Sequence, residues 1–157
     1  MGAMSQAAPP AAQPGGEVVV LWVSRHPPVP IQLKVLRERL GEGCRVVTLT
    51  GVISNAEYVV EEAKRVGAKY VVPVLPLSFI ARLAELAREN GFTVLFSRMR
   101  LLFEARKGDR AAVARLMELL RERPDARTAV EYADCFRLFE FERFEVLKRV
   151  EVVTEPW

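Results

Sequence analysis

Residues 18–23 read VVVLWV, six apolar residues in a row with no polar side chain on either parity. A strand with one face in water alternates between apolar and polar residues, whereas a strand of a parallel sheet covered on both faces does not. Three further short runs, rich in β-branched residues and mainly apolar on both parities, predict three further strands. They are residues 46–49, 70–75 and 93–96. The chain is therefore expected to form a parallel sheet that is buried on both faces.

Helical patterns separate these strands. Each pattern repeats apolar residues three and four positions apart and is followed by a glycine, which is typical of a helix packed on a sheet. The stripes are Ile31, Val35, Leu36 and Leu40; Ala56, Val59, Val60 and Ala63; and Phe79, Ile80, Leu83 and Leu86. Strands and helices in alternation predict an α/β fold, with a Rossmann-like parallel sheet flanked by helices.

The pattern changes after Phe96. Asp109 is placed to cap a fourth helix, which is expected to end before Pro124. The stripe of that helix is Val113, Leu116, Met117 and Leu120. Residues 126–135 fit either a helix or a strand. The apolar alternation that follows changes parity at residues 142–143, which predicts a bulge or a turn within a two-stranded β element. This appendage is expected either to form a dimer surface or to cover the edge of the sheet.

Length and composition favour one domain, since the chain has 157 residues of which 50% are hydrophobic. Residues 1–16 carry no charged side chain and predict a disordered tag or tail. Residues 17–105 are expected to form the Rossmann-like core, and residues 106–157 to add a C-terminal helix and β element to the same domain. No signal peptide is recognisable, and no apolar run reaches the ~20 residues of a membrane span.

The two cysteines, Cys44 and Cys135, lie 91 positions apart and outside any CxxC motif. This spacing excludes a zinc site built from thiolates and favours a reduced, cytoplasmic location. The net charge of +3 is too small to indicate nucleic-acid binding. Direct DNA binding is not expected, because no basic run with interleaved aromatic residues is present.

The ends of the predicted strands carry most of the functional information, because ligands of open parallel sheets bind at the carboxyl ends of the strands. Hydroxyl, amide and cationic side chains are predicted there. They are Ser24, Arg25 and His26 after the first strand, Thr50, Ser54 and Asn55 after the second, Ser78 after the third, and Ser97, Arg98 and Arg100 after the fourth. We interpret these residues as a cationic rim that suits phosphate groups, with helix N-termini pointing into it.

This rim lacks the carboxylates that hold divalent cations in receiver domains and magnesium-dependent nucleases, so no metal is expected. No GxGxxG or GxxxxGK[ST] motif occurs, and no cofactor is expected. The first and fourth strands are expected to be neighbours, which would bring Arg25, His26 and Arg98 together. Structural alternatives remain open for these residues. The His26 ring could bond the turn before the first helix, Arg25 could pair with Glu42 or Glu57, and the arginines of the fourth strand could stay solvated.

Residues 23–27, VSRHP, follow the first strand directly and resemble the start of small CRISPR-associated proteins of type III systems that handle cyclic oligoadenylate. A second family of this kind has a stretch similar to residues 24–32, SRHPPVPIQ, if Arg25 is treated as an insertion. These families are related in fold to CARF domains and ring nucleases. The resemblance covers about ten residues and the order of the α/β elements.

The resemblance implies a homodimer that binds a cyclic oligoadenylate, such as cyclic tetra-adenylate, and cleaves it without a metal. The 2′-hydroxyl of the ligand would attack the adjacent phosphate. Arg25 and Arg98 would stabilise the charge, and His26 would transfer a proton or bond the phosphate. Ser24, Thr50 and Ser78 would donate hydrogen bonds to phosphate or ribose oxygens. Two alternatives stay open: a sponge or sensor without catalysis, and a protein-interaction module without a nucleotide ligand.

Overall fold

A computed structural model describes residues 17–157, and the tail predicted at residues 1–16 lies outside this part. The described residues form six strands and four helices. The strands are β1 (Val19–Val23), β2 (Arg45–Leu49), β3 (Ala68–Pro73), β4 (Thr93–Arg106), β5 (Arg127–Glu131) and β6 (Cys135–Leu147). The helices are α1 (Pro30–Leu40), α2 (Ala56–Val66), α3 (Leu77–Asn90) and α4 (Arg110–Glu122). None of these helices combines the length and the apolar character that crossing a membrane requires.

The strands form one mixed sheet in the order β2-β1-β3-β4-β6-β5. Strand β1 is parallel to β2 and β3, β3 is parallel to β4, and β5 is antiparallel to β6. Contacts between β4 and β6 run in opposite directions along the two strands, because Arg100 contacts Glu140 while Lys107 bonds Asp134. The predicted α/β class, with a largely parallel sheet flanked by helices, is therefore confirmed.

The prediction that the first and fourth strands are neighbours is wrong, because β3 lies between β1 and β4. The reason is the path of α2, which packs on both β1 and β3. Its predicted stripe is buried at all four positions and contacts Leu21 and Val23 of β1 and Val71 of β3. The chain therefore crosses back over β1 after β2, instead of adding each new strand on the same side.

The described residues form two compact units. The first unit comprises Met1–Pro27, of which residues 17–27 are described, together with Leu40–Phe96 and Glu145–Trp157. Its central strand β1 is buried at all five positions. Helices α2 and α3 end at Gly67 and Gly91, whose φ angles of 71° and 73° are readily adopted only by a residue without a Cβ atom.

The second unit comprises Pro28–Arg39 and Ser97–Phe144. Asp109 caps α4 as predicted, since its side chain accepts a hydrogen bond from the Ala112 N–H at 3.0 Å. The predicted stripe of α4 needs one correction, because Met117 is exposed whereas Leu119 packs against the core. One buried cluster of this unit is formed by Ala105, Leu116 and Leu138.

The C-terminal β element differs from the prediction. Residues 127–131, which fitted either state, form β5, and β6 continues without a break through residues 142–143. The turn of the two-stranded element thus lies before β6, and residues 148–157 form no helix or strand. The parity change near residue 143 has a physical reason: β6 belongs to the second unit up to Phe144, and beyond it Leu147 packs against the core of the first unit.

A candidate anion-binding site at the carboxyl ends of β1, β2 and β3

The carboxyl ends of β2, β1 and β3 lie at one edge of the sheet in the first unit, because the three strands are parallel and adjacent. The strand order reverses at β1, since the next strand along the chain lies on one side of it and β3 lies on the other. A crevice forms outside the strand ends at such a reversal, and ligands of open α/β sheets bind there. The segments that border this position are the turn after β1, residues 24–26, and the turn after β3, residues 74–76, with the first turn of α3 that follows it.

The backbone of the turn after β1 is held from two sides. The Oγ atom of Ser24, which is 7% exposed, accepts a hydrogen bond from the His26 N–H at 3.1 Å. The Nε1–H of Trp22, which is 2% exposed, donates to the His26 carbonyl at 3.1 Å. Ser24 therefore supports the turn, and its predicted contact with a ligand is limited to the hydroxyl hydrogen.

The side chains of Arg25 and His26 are exposed on this fixed turn. Within residues 17–157 neither the guanidinium nor the imidazole forms an ion pair or a hydrogen bond. Glu57, one of the two carboxylates considered for Arg25, instead pairs with Arg82 at 3.1 Å. The turn thus uses the backbone of His26 rather than its ring, and both predicted catalytic side chains of this strand end are left to solvent.

Four further predicted residues lie at the same edge of the first unit. Thr50 follows β2, and Ser54 precedes α2; both side chains are exposed. Asn55 has a structural role, because its Oδ1 atom accepts a bond from a backbone N–H in the first turn of α2 at 2.8 Å. Ser78 is exposed in the first turn of α3, which begins after Pro76 and has no side-chain cap. The first turn of α3 therefore keeps backbone N–H donors that an anion can use.

The residues predicted after the fourth strand are not at a strand end. Strand β4 runs on to Arg106, so Ser97, Arg98 and Arg100 lie inside it, in the second unit. Arginines that alternate with apolar residues predict a strand end here, but these residues continue β4 beside β6. The premise that placed Arg98 next to Arg25 is therefore wrong, and a role for Arg98 in binding stays a prediction.

Ser97 and Arg100 both have partners inside the protein. The Oγ atom of Ser97 accepts a bond from the Nε2 atom of Gln32 at 2.9 Å. Arg100 donates to Glu140 at 2.9 Å and lies 3.9 Å from Glu142. The expectation of a fourth strand end without carboxylates is thus wrong, because the carboxylates come from β6, about 40 residues later in the chain.

Gln32, the last residue of the stretch 24–32 that carries the resemblance, has a structural role in the second unit that the sequence did not assign to it. It is 4% exposed, and its Oε1 atom accepts a bond from the Val29 N–H at 2.8 Å. Together with the bond to Ser97, this contact holds the start of α1, directly after the Ser24–Pro28 segment. A sequence signal existed, because Gln32 lies four residues before the buried Leu36 and hence on the buried face of the helix.

Glu140 is the centre of an ion-pair network in the second unit. Its side chain is 14% exposed and accepts bonds from Arg100 at 2.9 Å and from Arg127 at 3.1 Å, with Arg123 at 3.8 Å. Burial alone would raise the pKa of the Glu140 carboxyl, but the bonds from Arg100 and Arg127 outweigh burial and keep that pKa below its usual value. These arginines are matched by carboxylates and are already engaged.

Cys135 is buried and donates to the Glu104 carboxylate at 3.3 Å, while Arg137 donates to the same oxygen at 2.8 Å. Burial and the bond to Glu104 both raise the pKa of the Cys135 thiol. A thiol held in its protonated form is a poor nucleophile, so this cluster is structural.

No group of three or more His, Cys, Asp or Glu residues in the described part of the chain is arranged to hold a metal ion. Comparisons with models of protein families, with curated proteins and with solved structures gave no match.

Proposed function

We propose that this chain adopts a Rossmann-like, CARF-like fold, acts in the cytoplasm as a homodimer, and binds a cyclic oligoadenylate at the carboxyl ends of β1, β2 and β3. The observation that carries the proposal is the display of Arg25 and His26, without partners among residues 17–157, on a turn whose backbone is fixed. The resemblance of residues 23–27 to proteins that handle this messenger supports the choice of ligand.

Phosphate is the ligand group that this edge suits best. The Arg25 guanidinium offers a planar pair of N–H donors that matches two phosphate oxygens. The first turn of α3 adds backbone N–H donors, and the exposed hydroxyls of Thr50, Ser54 and Ser78 add neutral donors. A cyclic oligonucleotide presents several phosphates in a small ring, so it can engage several of these groups together.

The proposed reaction is cleavage of a phosphodiester bond by the neighbouring 2′-hydroxyl. The bond between the 2′ oxygen and phosphorus forms while the bond between phosphorus and the 5′ oxygen breaks. The products are a 2′,3′-cyclic phosphate and a 5′-hydroxyl, so the proton lost at the 2′ oxygen is balanced by the one gained at the 5′ oxygen. His26 assists this proton transfer, and Arg25 stabilises the negative charge on the five-coordinate phosphorus. No metal enters this reaction.

Binding without cleavage is the second candidate, and one observation favours it. His26 is the single histidine of the chain, so one imidazole would have to serve both the 2′ and the 5′ oxygen. A sponge or sensor needs only the anion contacts of the same edge.

The test is to incubate labelled cyclic tetra-adenylate and, separately, cyclic hexa-adenylate with the protein in EDTA, and to separate the products by chromatography. We expect linear products with a 2′,3′-cyclic phosphate end over many turnovers. A stoichiometric amount of bound, intact ring would establish the sponge or sensor instead. If neither ring is bound or cleaved, the proposal is wrong and a protein-interaction module becomes the better account. Arg121→Ala, which removes an exposed arginine of α4, is the matched control for Arg25→Ala.

A further inference from the structure

Strand β5 lies at the edge of the sheet and is paired only with β6 among the described strands. Two hydrogen bonds fix which of its backbone groups face β6. The Phe141 N–H donates to the Ala126 carbonyl at 2.9 Å, and the Tyr132 N–H donates to the Cys135 carbonyl at 2.8 Å. Hydrogen-bonded and non-hydrogen-bonded pairs alternate along an antiparallel ladder. The even-numbered residues of β5 therefore bond to β6.

The odd-numbered residues of β5, namely Arg127, Ala129 and Glu131, direct their N–H and C=O groups away from β6. The Arg127 N–H is already used, since it donates to the Arg123 carbonyl at 2.9 Å. No group in residues 17–157 bonds the N–H groups of Ala129 and Glu131 or the carbonyls of Arg127 and Ala129. The edge thus offers two donors and two acceptors in alternation.

The outward-facing N–H and C=O groups of β5 can pair with the same groups of a second copy of the chain. In an antiparallel pair centred on Ala129, the Ala129 N–H of each copy donates to the Ala129 carbonyl of the other. The Glu131 N–H of each copy donates to the Arg127 carbonyl of the other, and the engaged Arg127 N–H is not required. This register aligns all five residues of both strands and places Arg127 of one copy opposite Glu131 of the other. Within each copy the Arg127 side chain stays paired with Glu140, and that of Glu131 with Lys107 at 2.6 Å.

The edge also lacks the devices that usually block such pairing. Residues 127–131 contain no proline, glycine or lysine. The Arg127 side chain is 14% exposed and donates to the Leu119 carbonyl at 2.6 Å. It therefore lies against α4 and does not block the edge. The other edge strand, β2, lacks this symmetry, because the same antiparallel pairing would place Arg45 opposite Leu49.

We propose that two copies of this chain associate through β5, in antiparallel register about Ala129, and join their sheets across a two-fold axis. Pairing of backbone groups at a sheet edge is an established mode of recognition, and a two-fold interface uses the same surface on both copies. The inference gives the expected homodimer a defined surface. It is tested without any ligand, so its failure and the failure of the proposed function are distinguishable.

The first test is sedimentation equilibrium of the full chain, with Ala129→Pro as the disrupting variant. Proline removes a donor that points away from β6, so it spares the ladder within the chain but deletes two of the four bonds between copies. The matched control is Thr48→Pro on β2, where the N–H also points outward because the Arg45 N–H bonds the Val18 carbonyl. We expect a wild-type dimer, at least a tenfold rise in its dissociation constant for Ala129→Pro, and no change for Thr48→Pro. A monomeric wild type at about 100 µM, or an Ala129→Pro dimer as tight as wild type, would overturn the inference.

The second test fixes the register and does not rely on proline being tolerated. Thr128 and Val130 form a non-hydrogen-bonded pair between copies in the proposed register, with Cα atoms about 4.5 Å apart, within reach of a disulfide. The Thr128→Cys, Val130→Cys double variant should form a covalent dimer on mild oxidation, whereas Val130→Cys alone should stay monomeric in denaturing electrophoresis. Absence of the covalent dimer in the double variant, or efficient cross-linking of the single variant, would contradict this register.

Discussion

The turn after β1 and the middle of β4 both contain arginines that the sequence pattern assigns to a phosphate-binding rim. In the folded chain these arginines differ in their ion-pair partners. Arg25 is exposed and has no ion-pair partner among residues 17–157, whereas Arg100 contacts both Glu140 and Glu142. The difference arises from the neighbouring strand, since β6 supplies the carboxylates that engage Arg100. The availability of an arginine for a ligand is thus decided by residues far away in sequence.

The largest expected effect is on cleavage, through the turn after β1. His26→Ala should slow single-turnover cleavage of cyclic tetra-adenylate by about 100-fold or more, because it removes the group that assists proton transfer. Thermal unfolding should not change, since the exposed ring forms no hydrogen bond or ion pair within the described residues. Arg100→Ala should leave the rate within about threefold, since its guanidinium is engaged by two carboxylates. An equal loss of rate in both variants would remove the distinction between the two regions.

The next effect is on stability, through the network around Glu140. Glu140→Gln should lower the free energy of unfolding by roughly 1–3 kcal/mol, because it removes the charge that Arg100 and Arg127 share in a largely buried position. Urea denaturation measures this loss. Glu118→Gln, which breaks an exposed pair with Arg115, is the matched control and should cost about 0.5 kcal/mol or less. If Glu118→Gln destabilised the protein as much, the network would have no special role.

A smaller effect distinguishes the turn after β1 from the start of α4 in the second unit, when one side-chain hydrogen-bond acceptor is removed from each. Ser24→Ala deletes the acceptor of the His26 N–H, and Asp109→Ala deletes the acceptor of the Ala112 N–H. Each should cost about 1 kcal/mol of unfolding free energy. Only Ser24→Ala should also slow cleavage, by several-fold, because the turn that presents Arg25 and His26 is loosened. A slower Asp109→Ala enzyme, or an unchanged Ser24→Ala enzyme, would contradict this division.

The smallest expected effect is the response of stability to acid. The pKa of Glu140 lies below its usual value of 4.5 in the folded protein. Its contribution to stability is therefore complete above pH 4.5 and is lost as the pH falls through the lowered pKa. Urea denaturation between about pH 5 and 3 should show a steeper loss for wild type than for Glu140→Gln. Equal slopes for the two proteins would show that Glu140 titrates as an isolated carboxyl.

Local patterns predicted much of the fold correctly. The continuous apolar run of β1, the stripe of α2 and the cap at Asp109 each depend on residues close in sequence, and all three are found in the structure. Strand order is a different kind of information. Hydrophobic periodicity indicates that a strand is buried, but it does not indicate which strand lies beside it. The path of α2 over β1, which decides the strand order, has no signature in the local sequence.

The candidate site was predictable only in part, for the same reason. Arg25 and His26 could be placed because they follow directly on a strand whose end was clear. Ser97 and Arg100 were misplaced, because their partners, Gln32 and Glu140, are distant in sequence and turn an apparent strand end into a strand interior. Long-range ion pairs and hydrogen bonds of this kind have no short-range signature.

The central claim is that the turn after β1, and not the arginines of β4, binds the phosphate groups of the ligand. The most direct test is the equilibrium affinity for cyclic tetra-adenylate in EDTA of wild type, Arg25→Ala with His26→Ala, and Arg100→Ala. We predict that the double variant binds about 100-fold more weakly, since two charge-assisted contacts are lost, and that Arg100→Ala stays within about threefold of wild type. A double variant that binds as tightly as wild type, or an Arg100→Ala variant that loses as much affinity as the double variant, would contradict the account.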